Sequence, residues 1–79
     1  MGKISGKEIS IGEALRMLRE EKNMSILELS KKTGVSASYI ARIENGERKN
    51  PTVTLLEKLV NGLDVKMEKF LTLLHKGNQ

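Results

Sequence analysis

Neither cysteine nor tryptophan occurs in this chain, and proline, histidine, aspartate, tyrosine and phenylalanine occur once each, as Pro51, His75, Asp64, Tyr39 and Phe70. The missing thiols exclude disulfides, thiolate nucleophiles and zinc–thiolate sites. One histidine and one aspartate are too few for a multi-histidine metal site or for a triad containing both. Aromatic residues make up 3% of the chain, which leaves little to stack on unpaired bases and argues against RNA binding. No apolar run approaches the roughly 18 residues of a membrane span or the roughly 7–15 of a signal-peptide core. The start, Met1-Gly2-Lys3-Ile4-Ser5-Gly6, lacks the Ser or Thr that a myristoylation motif carries at its sixth position. No nucleophile–base pair, metal cluster or phosphate loop is visible. The expectation is a soluble intracellular binding domain with no catalysis, cofactor, metal, membrane partner or small-molecule ligand domain.

The chain's 79 residues allow one domain, and its apolar fraction of 38% limits the core, since a domain near this size buries only about 60% of its unfolded surface. Fourteen Lys plus Arg against ten Asp plus Glu leave a net charge of +4, which favours a polyanionic partner without saying which. Apolar residues recur at helical spacing almost throughout, with no internal repeat and no low-complexity segment. Residues 1–9 carry no sustained period and read as a loose arm; residues 10–75 read as the folded domain and 76–79 as a tail.

Helix boundaries can be located from capping chemistry. Ser10-Ile11-Gly12-Glu13 is a capping box, in which hydroxyl and carboxylate each satisfy an orphan backbone N–H. A helix with Ile11, Ala14, Leu15 and Leu18 inward should run from there to about Lys22, with Asn23 as its breaker. Ser25-Ile26-Leu27-Glu28 is a second box, opening a short helix to about Thr33 that buries Ile26 and Leu29 and ends at Gly34. Ser36 caps a third, Ala37 to about Asn45, with Ile40 and Ile43 inward and Gly46 ending it. Thr52 caps a fourth, with Val53, Leu56, Leu59, Val60 and Leu63 as its stripe. A fifth, from about Met67 to Leu74, has more apolar residues than one face needs. If Met67, Leu71 and Leu74 fill the core, Phe70 or Leu73 is left to meet a second copy across a two-fold axis, or Leu73 covers the arm. Met17, Met24 and Met67 are expected in the core or at its edge.

The informative stretch runs from Ser25 to Asn45. Two short helices joined by Thr33-Gly34-Val35 must cross steeply, with Ser30 small enough for close approach and Val35, Ile40 and Ile43 plugging the angle. That is the steric signature of a helix-turn-helix. The text Ser25-Ile26-Leu27-Glu28-Leu29-Ser30-Lys31-Lys32-Thr33-Gly34-Val35-Ser36, then Ser38-Tyr39-Ile40-Ala41-Arg42-Ile43-Glu44-Asn45-Gly46, resembles the Cro and phage-repressor (XRE) type of helix-turn-helix regulator. Asn50-Pro51-Thr52 and Leu63-Asp64-Val65 extend the likeness toward the SinR-like branch, over about residues 10–74.

The resemblance implies an all-α, compact five-helix, lambda-repressor-like domain whose third helix enters the major groove of double-stranded DNA. By position, Ala37, Ser38 and Arg42 would face the bases, Arg42 being able to pair bidentately with guanine O6 and N7. Phosphates would be met by Ser25 with the N-terminus of its helix, and by Ser36, Tyr39, Asn45, Arg48, Lys49 and Asn50. Arg19 would pair with Glu44 as a partly buried structural link between the first and third helices. Ala37 and Ala41 make the groove-facing surface plain, Ser30 stands where alanine is more usual, and Lys66 stands where a serine cap commonly begins the fifth helix. Blander readings exist for the same residues. Lys31, Lys32, Arg48 and Lys49 can be a solvated surface, Arg42 can pair with Glu28 or Glu47, Tyr39 can simply pack, and Ser25 and Ser36 are caps first. The expected function is a cytoplasmic bacterial or phage regulator acting as a homodimer. The alternative is a protein-interaction module or antitoxin of the same fold with little DNA affinity.

Overall fold

The computed structural model describes residues 9–76, and the expected arm and tail lie outside the described residues except for Ile9 and Lys76. Among the described residues there are five helices and no strand: α1 (Ile11–Glu21), α2 (Ile26–Thr33), α3 (Ala37–Glu44), α4 (Val53–Gly62) and α5 (Met67–Lys76). The fold is all-α, and none of these helices is long and apolar enough to cross a membrane.

Four of the five helices begin where a hydroxyl caps them. Ser10 and Ser25 each accept a hydrogen bond from the backbone N–H three residues on, while Glu13 and Glu28 accept one from the serine N–H, at 3.0 and 2.7 Å. Ser36 and Thr52 cap α3 and α4 through their side-chain oxygens alone. Asn23, at φ 54°, turns the chain out of α1 just after its Lys22 C-cap, and Gly34, at φ 81°, closes α2 in the left-handed conformation that a side chain disfavours.

The core takes Ala14, Leu15 and Leu18 from α1, Leu29 from α2, and Val35 from the turn. Ile40 and Ile43 of α3, Leu59 and Val60 of α4, the connection residues Leu63 and Val65, and Phe70 of α5 complete it. Helix α3 packs on α1 and α2, α4 packs on α2, and α5 bridges α1 and α4.

Four expectations about apolar residues need correction. Phe70, expected with Leu73 at a dimer contact, is fully buried, while Leu71, expected in the core, is exposed. Both 67–70–74 and 67–71–74 fit a helical period, so periodicity cannot choose between them. Packing against α1 and α4 turns the stripe so that the largest apolar side chain available goes inward. Leu73 is half-buried. Val53 is 71% exposed, because it starts α4 beyond the reach of the core. Met17 lies on the surface of α1, where it borders a groove rather than the core.

Candidate nucleic-acid interface

The turn between α2 and α3 is held by local chemistry. The Gly34 N–H donates to the Ser30 carbonyl at 2.8 Å. The Thr33 hydroxyl donates to the Leu29 carbonyl at 2.8 Å and accepts the Val35 N–H at 3.2 Å. With Val35, Ile40 and Ile43 buried beneath the corner, the opposite face of α3 is turned to solvent.

That face has a regular composition. Ser38, Arg42 and Asn45, spaced by four and three residues, are exposed and share one side of the helix. Ala37, Tyr39 and Ala41 flank this row and are half-buried. Among the described residues Arg42 has no ion-pair partner within 4.0 Å, so neither Glu28 nor Glu47 engages it. Glu28 is instead bound to the Ser25 N–H in its capping box.

Beyond α3 the chain folds back on the helix. The Arg42 carbonyl accepts the N–H groups of Glu47 and Arg48 at 2.9 and 3.1 Å. The Arg48 guanidinium lies over the Tyr39 ring, 5.6 Å from its centroid. Lys49 and Asn50 are exposed, and Lys49 also borders a depression of about 350 Å³ with Ile9, Ser10, Ile11, Leu74 and His75. Lys32 points elsewhere, to Asp64 at 3.3 Å. On α3 and the loop that follows it, the cations without an ion-pair partner among the described residues are therefore Arg42, Arg48 and Lys49.

Helix ends add an asymmetry. The first turns of α1 and α2 carry Glu13 and Glu28, whereas those of α3 and α4 carry no acidic residue. A helix N-terminus attracts anions through its free N–H groups and its dipole, and a resident carboxylate opposes a second anion. The Ser25 hydroxyl is engaged as a cap, so only backbone N–H groups remain there for a phosphate. The N-terminus of α3, beside Ser36, is the more anion-tolerant of the two.

Arg19 ties this surface to the body of the protein. Its Nε and Nη2 donate to the two Glu44 carboxylate oxygens at 2.7 and 2.9 Å, and its Nη1 donates to the Met24 carbonyl at 2.8 Å. The hydrogen bond to Glu44 raises the Arg19 pKa above its ordinary value; burial opposes this, and the Glu44 and Glu20 charges add to the rise. The guanidinium thus stays charged at any physiological pH. Arg16, half-exposed, approaches the same carboxylate at 3.5 Å.

Two elements of this arrangement were not foreseen. One is the Met24 carbonyl contact, by which Arg19 joins α1, the start of α2 and the end of α3. The other is Gly12, where an added Cβ would overlap the Ile43 carbonyl oxygen and lie 3.0 Å from its carbon and 3.1 Å from the Glu44 Cα. A glycine inside a helix costs about 1 kcal/mol relative to alanine, and that cost was the available hint of close packing.

Residues 15–70 match the helix-turn-helix family HTH_3. The chain is 44% identical over 59 residues to the HTH-type transcriptional repressor RghR of Bacillus subtilis, covering 75% of this chain and 44% of that protein. It is 38% identical over 66 residues to the HTH-type transcriptional regulator SinR of Bacillus subtilis, covering 84% of this chain and 60% of that protein. It therefore spans about half the length of the curated relatives it matches. Among solved structures it resembles the restriction–modification controller protein C.Esp1396I, seen as a tetramer in complex with its natural 35 base-pair operator. The TM-score is 0.80 at 31% identity, over 85% of this chain and 87% of that one.

Proposed function

The chain belongs to the helix-turn-helix family HTH_3, and from that premise we propose that it is a sequence-specific DNA-binding transcriptional regulator, acting as a repressor, that reads the major groove with α3. The observation that carries this reading is the exposed row Ser38–Arg42–Asn45, with Arg42 unpaired among the described residues. A free guanidinium on the solvent-facing side of a helix is suited to guanine. Ala37 and Ser38 are the other base-facing residues, and Ala37, half-buried, can offer only its methyl group. Ser36, Asn45, Arg48, Lys49, Asn50 and the α2 terminus at Ser25 take phosphates, and Tyr39 stands beside Arg48 on the same flank. The protein acts in the cytoplasm without catalysis.

Selection from a random duplex library tests the proposal. The parent should enrich one sequence, and Arg42→Ala should lose about 1–3 kcal/mol of discrimination at one base pair with its melting temperature unchanged. Equal affinity of the parent for selected and random duplexes would defeat the reading. Lys49→Ala should instead weaken all sequences alike and lower the salt slope of binding by about one, as measured by titration at several salt concentrations.

Dimerisation is the finer part of the reading. Helices α1 and α5 frame a groove of about 210 Å³ lined by Met17, Leu18, Glu21, Lys69, Thr72 and Leu73, with Leu71 exposed on α5. These side chains support a two-fold contact through Leu73, which sedimentation mass would test. The same groove favours the second reading, a module that binds a protein partner. Binding that barely changes with salt would point to that reading, since phosphate neutralisation demands a steep fall.

A further inference from the structure

We infer that Tyr39 acts through Arg48, its ring holding the guanidinium at the edge of α3 where it takes a phosphate of duplex DNA. This rests on the reading of α3 as the groove-entering helix. Three observations carry it. The guanidinium stands 5.6 Å from the ring centroid, within cation–π range. The Arg48 N–H is bound to the Arg42 carbonyl at 3.1 Å, which anchors the base of the same side chain to the helix that presents Tyr39. Arg48 has no carboxylate within 4.0 Å among the described residues, although Glu47 precedes it, so its charge is uncommitted.

Tyr39 and Arg42 are neighbours on the surface of α3, three residues apart. The stack therefore sets Arg48 beside the base-reading arginine, on the flank where the DNA backbone would pass. An arginine otherwise loses much rotamer freedom when it binds a phosphate, and one already leaning on a ring loses less. The ring is what matters in this account. The account requires nothing of the hydroxyl, since the guanidinium lies over the ring.

The test uses Tyr39→Phe, Tyr39→Leu, Arg48→Ala and the double variant Tyr39→Leu/Arg48→Ala, titrated with a random-sequence duplex and with the duplex the parent selects. Tyr39→Phe should bind within about twofold of the parent, with an unchanged salt slope. Arg48→Ala should bind about three- to tenfold more weakly on both duplexes, with the slope lowered by about one. Tyr39→Leu should fall most of the way to Arg48→Ala, and the double variant should be no weaker than Arg48→Ala alone. In the free protein, the Arg48 side-chain protons should show an upfield ring-current shift in the NMR spectrum that disappears in Tyr39→Leu. Should Tyr39→Leu fail to fold, Tyr39→Phe and the parent spectrum decide the matter. Additive losses, no ring-current shift, or a Tyr39→Phe defect as large as that of Arg48→Ala would overturn the inference while leaving the regulator reading intact. A parent that binds no duplex overturns both.

Discussion

Arg19→Ala should lower the melting temperature by about 15 °C in a calorimetric scan. Removing one member of a buried ion pair costs about 3–5 kcal/mol, and each kcal/mol shifts the midpoint of a domain this size by about 4–8 °C. The geometry supports the lower end of that cost. The side chains of Arg19 and Glu44 are 12% and 2% exposed, so deleting the guanidinium leaves a carboxylate in an environment that cannot solvate it. Arg16 supplies partial relief at 3.5 Å, but its own side chain is 47% exposed and reaches Glu44 through one nitrogen. A chain of this length has a total stability of about 4–12 kcal/mol, so the loss would remove a large part of it.

The same reasoning ranks the companion variants. Arg19→Lys keeps the charge and loses the two-pronged geometry, so it should fall between the parent and Arg19→Ala. Replacing both partners with apolar residues of similar volume should cost less than Arg19→Ala alone, because no orphaned charge remains. DNA affinity should fall with stability in Arg19→Ala. Its guanidinium holds the Met24 carbonyl, which precedes the Ser25 cap, and Glu44, which precedes Asn45, so both flanks of the proposed interface lose a common anchor. An unchanged melting temperature would show that the pair is solvated in practice, and the account of a buried link would have to be withdrawn.

What could be read from the residues followed the range of the interactions. Capping boxes join atoms three residues apart, so Ser10-Ile11-Gly12-Glu13 and Ser25-Ile26-Leu27-Glu28 announced their helices from local text. Gly34 closed α2 for the same local reason. The face of α5 was not local. Its apolar surplus satisfied two stripes at once, and only contact with α1 and α4 chose Phe70 for the interior. The link between Arg19 and Glu44, 25 residues apart, entered through family likeness, since no periodicity connects the two positions. Tyr39 and Arg48 were each expected beside DNA but not beside each other. Their contact depends on the loop after α3 folding back onto the Arg42 carbonyl, which composition does not encode.

Gly12→Ala poses a contest between two opposing effects of different size. Alanine favours a helix interior by about 1 kcal/mol over glycine, an upper bound for position 12 in the first turn of α1, so propensity alone predicts a more stable protein. Against it stands the overlap of the new methyl with the Ile43 carbonyl oxygen, with the Ile43 carbon and the Glu44 Cα close behind. Overpacking usually costs about 1–3 kcal/mol when side chains can turn aside, and here the obstacle is backbone, which has no rotamer to change. The helices must separate, and separation stretches the Arg19 bonds to Glu44 at 2.7 and 2.9 Å. A net loss of about 3 kcal/mol follows, or a fall of about 12–24 °C. Gly62→Ala supplies the contrast, since its methyl would press on the Thr33 Cγ2 and the Leu29 Cδ1, which are side-chain atoms; its fall should be the smaller of the two. Because Gly12 and Arg19 serve one α1–α3 contact, the double variant should lose less than the sum of the single losses. A Gly12→Ala protein that melts at or above the parent would mean that α1 and α3 part without cost. In that case the pose of α3, on which the reading of its outer face depends, would not be set by α1.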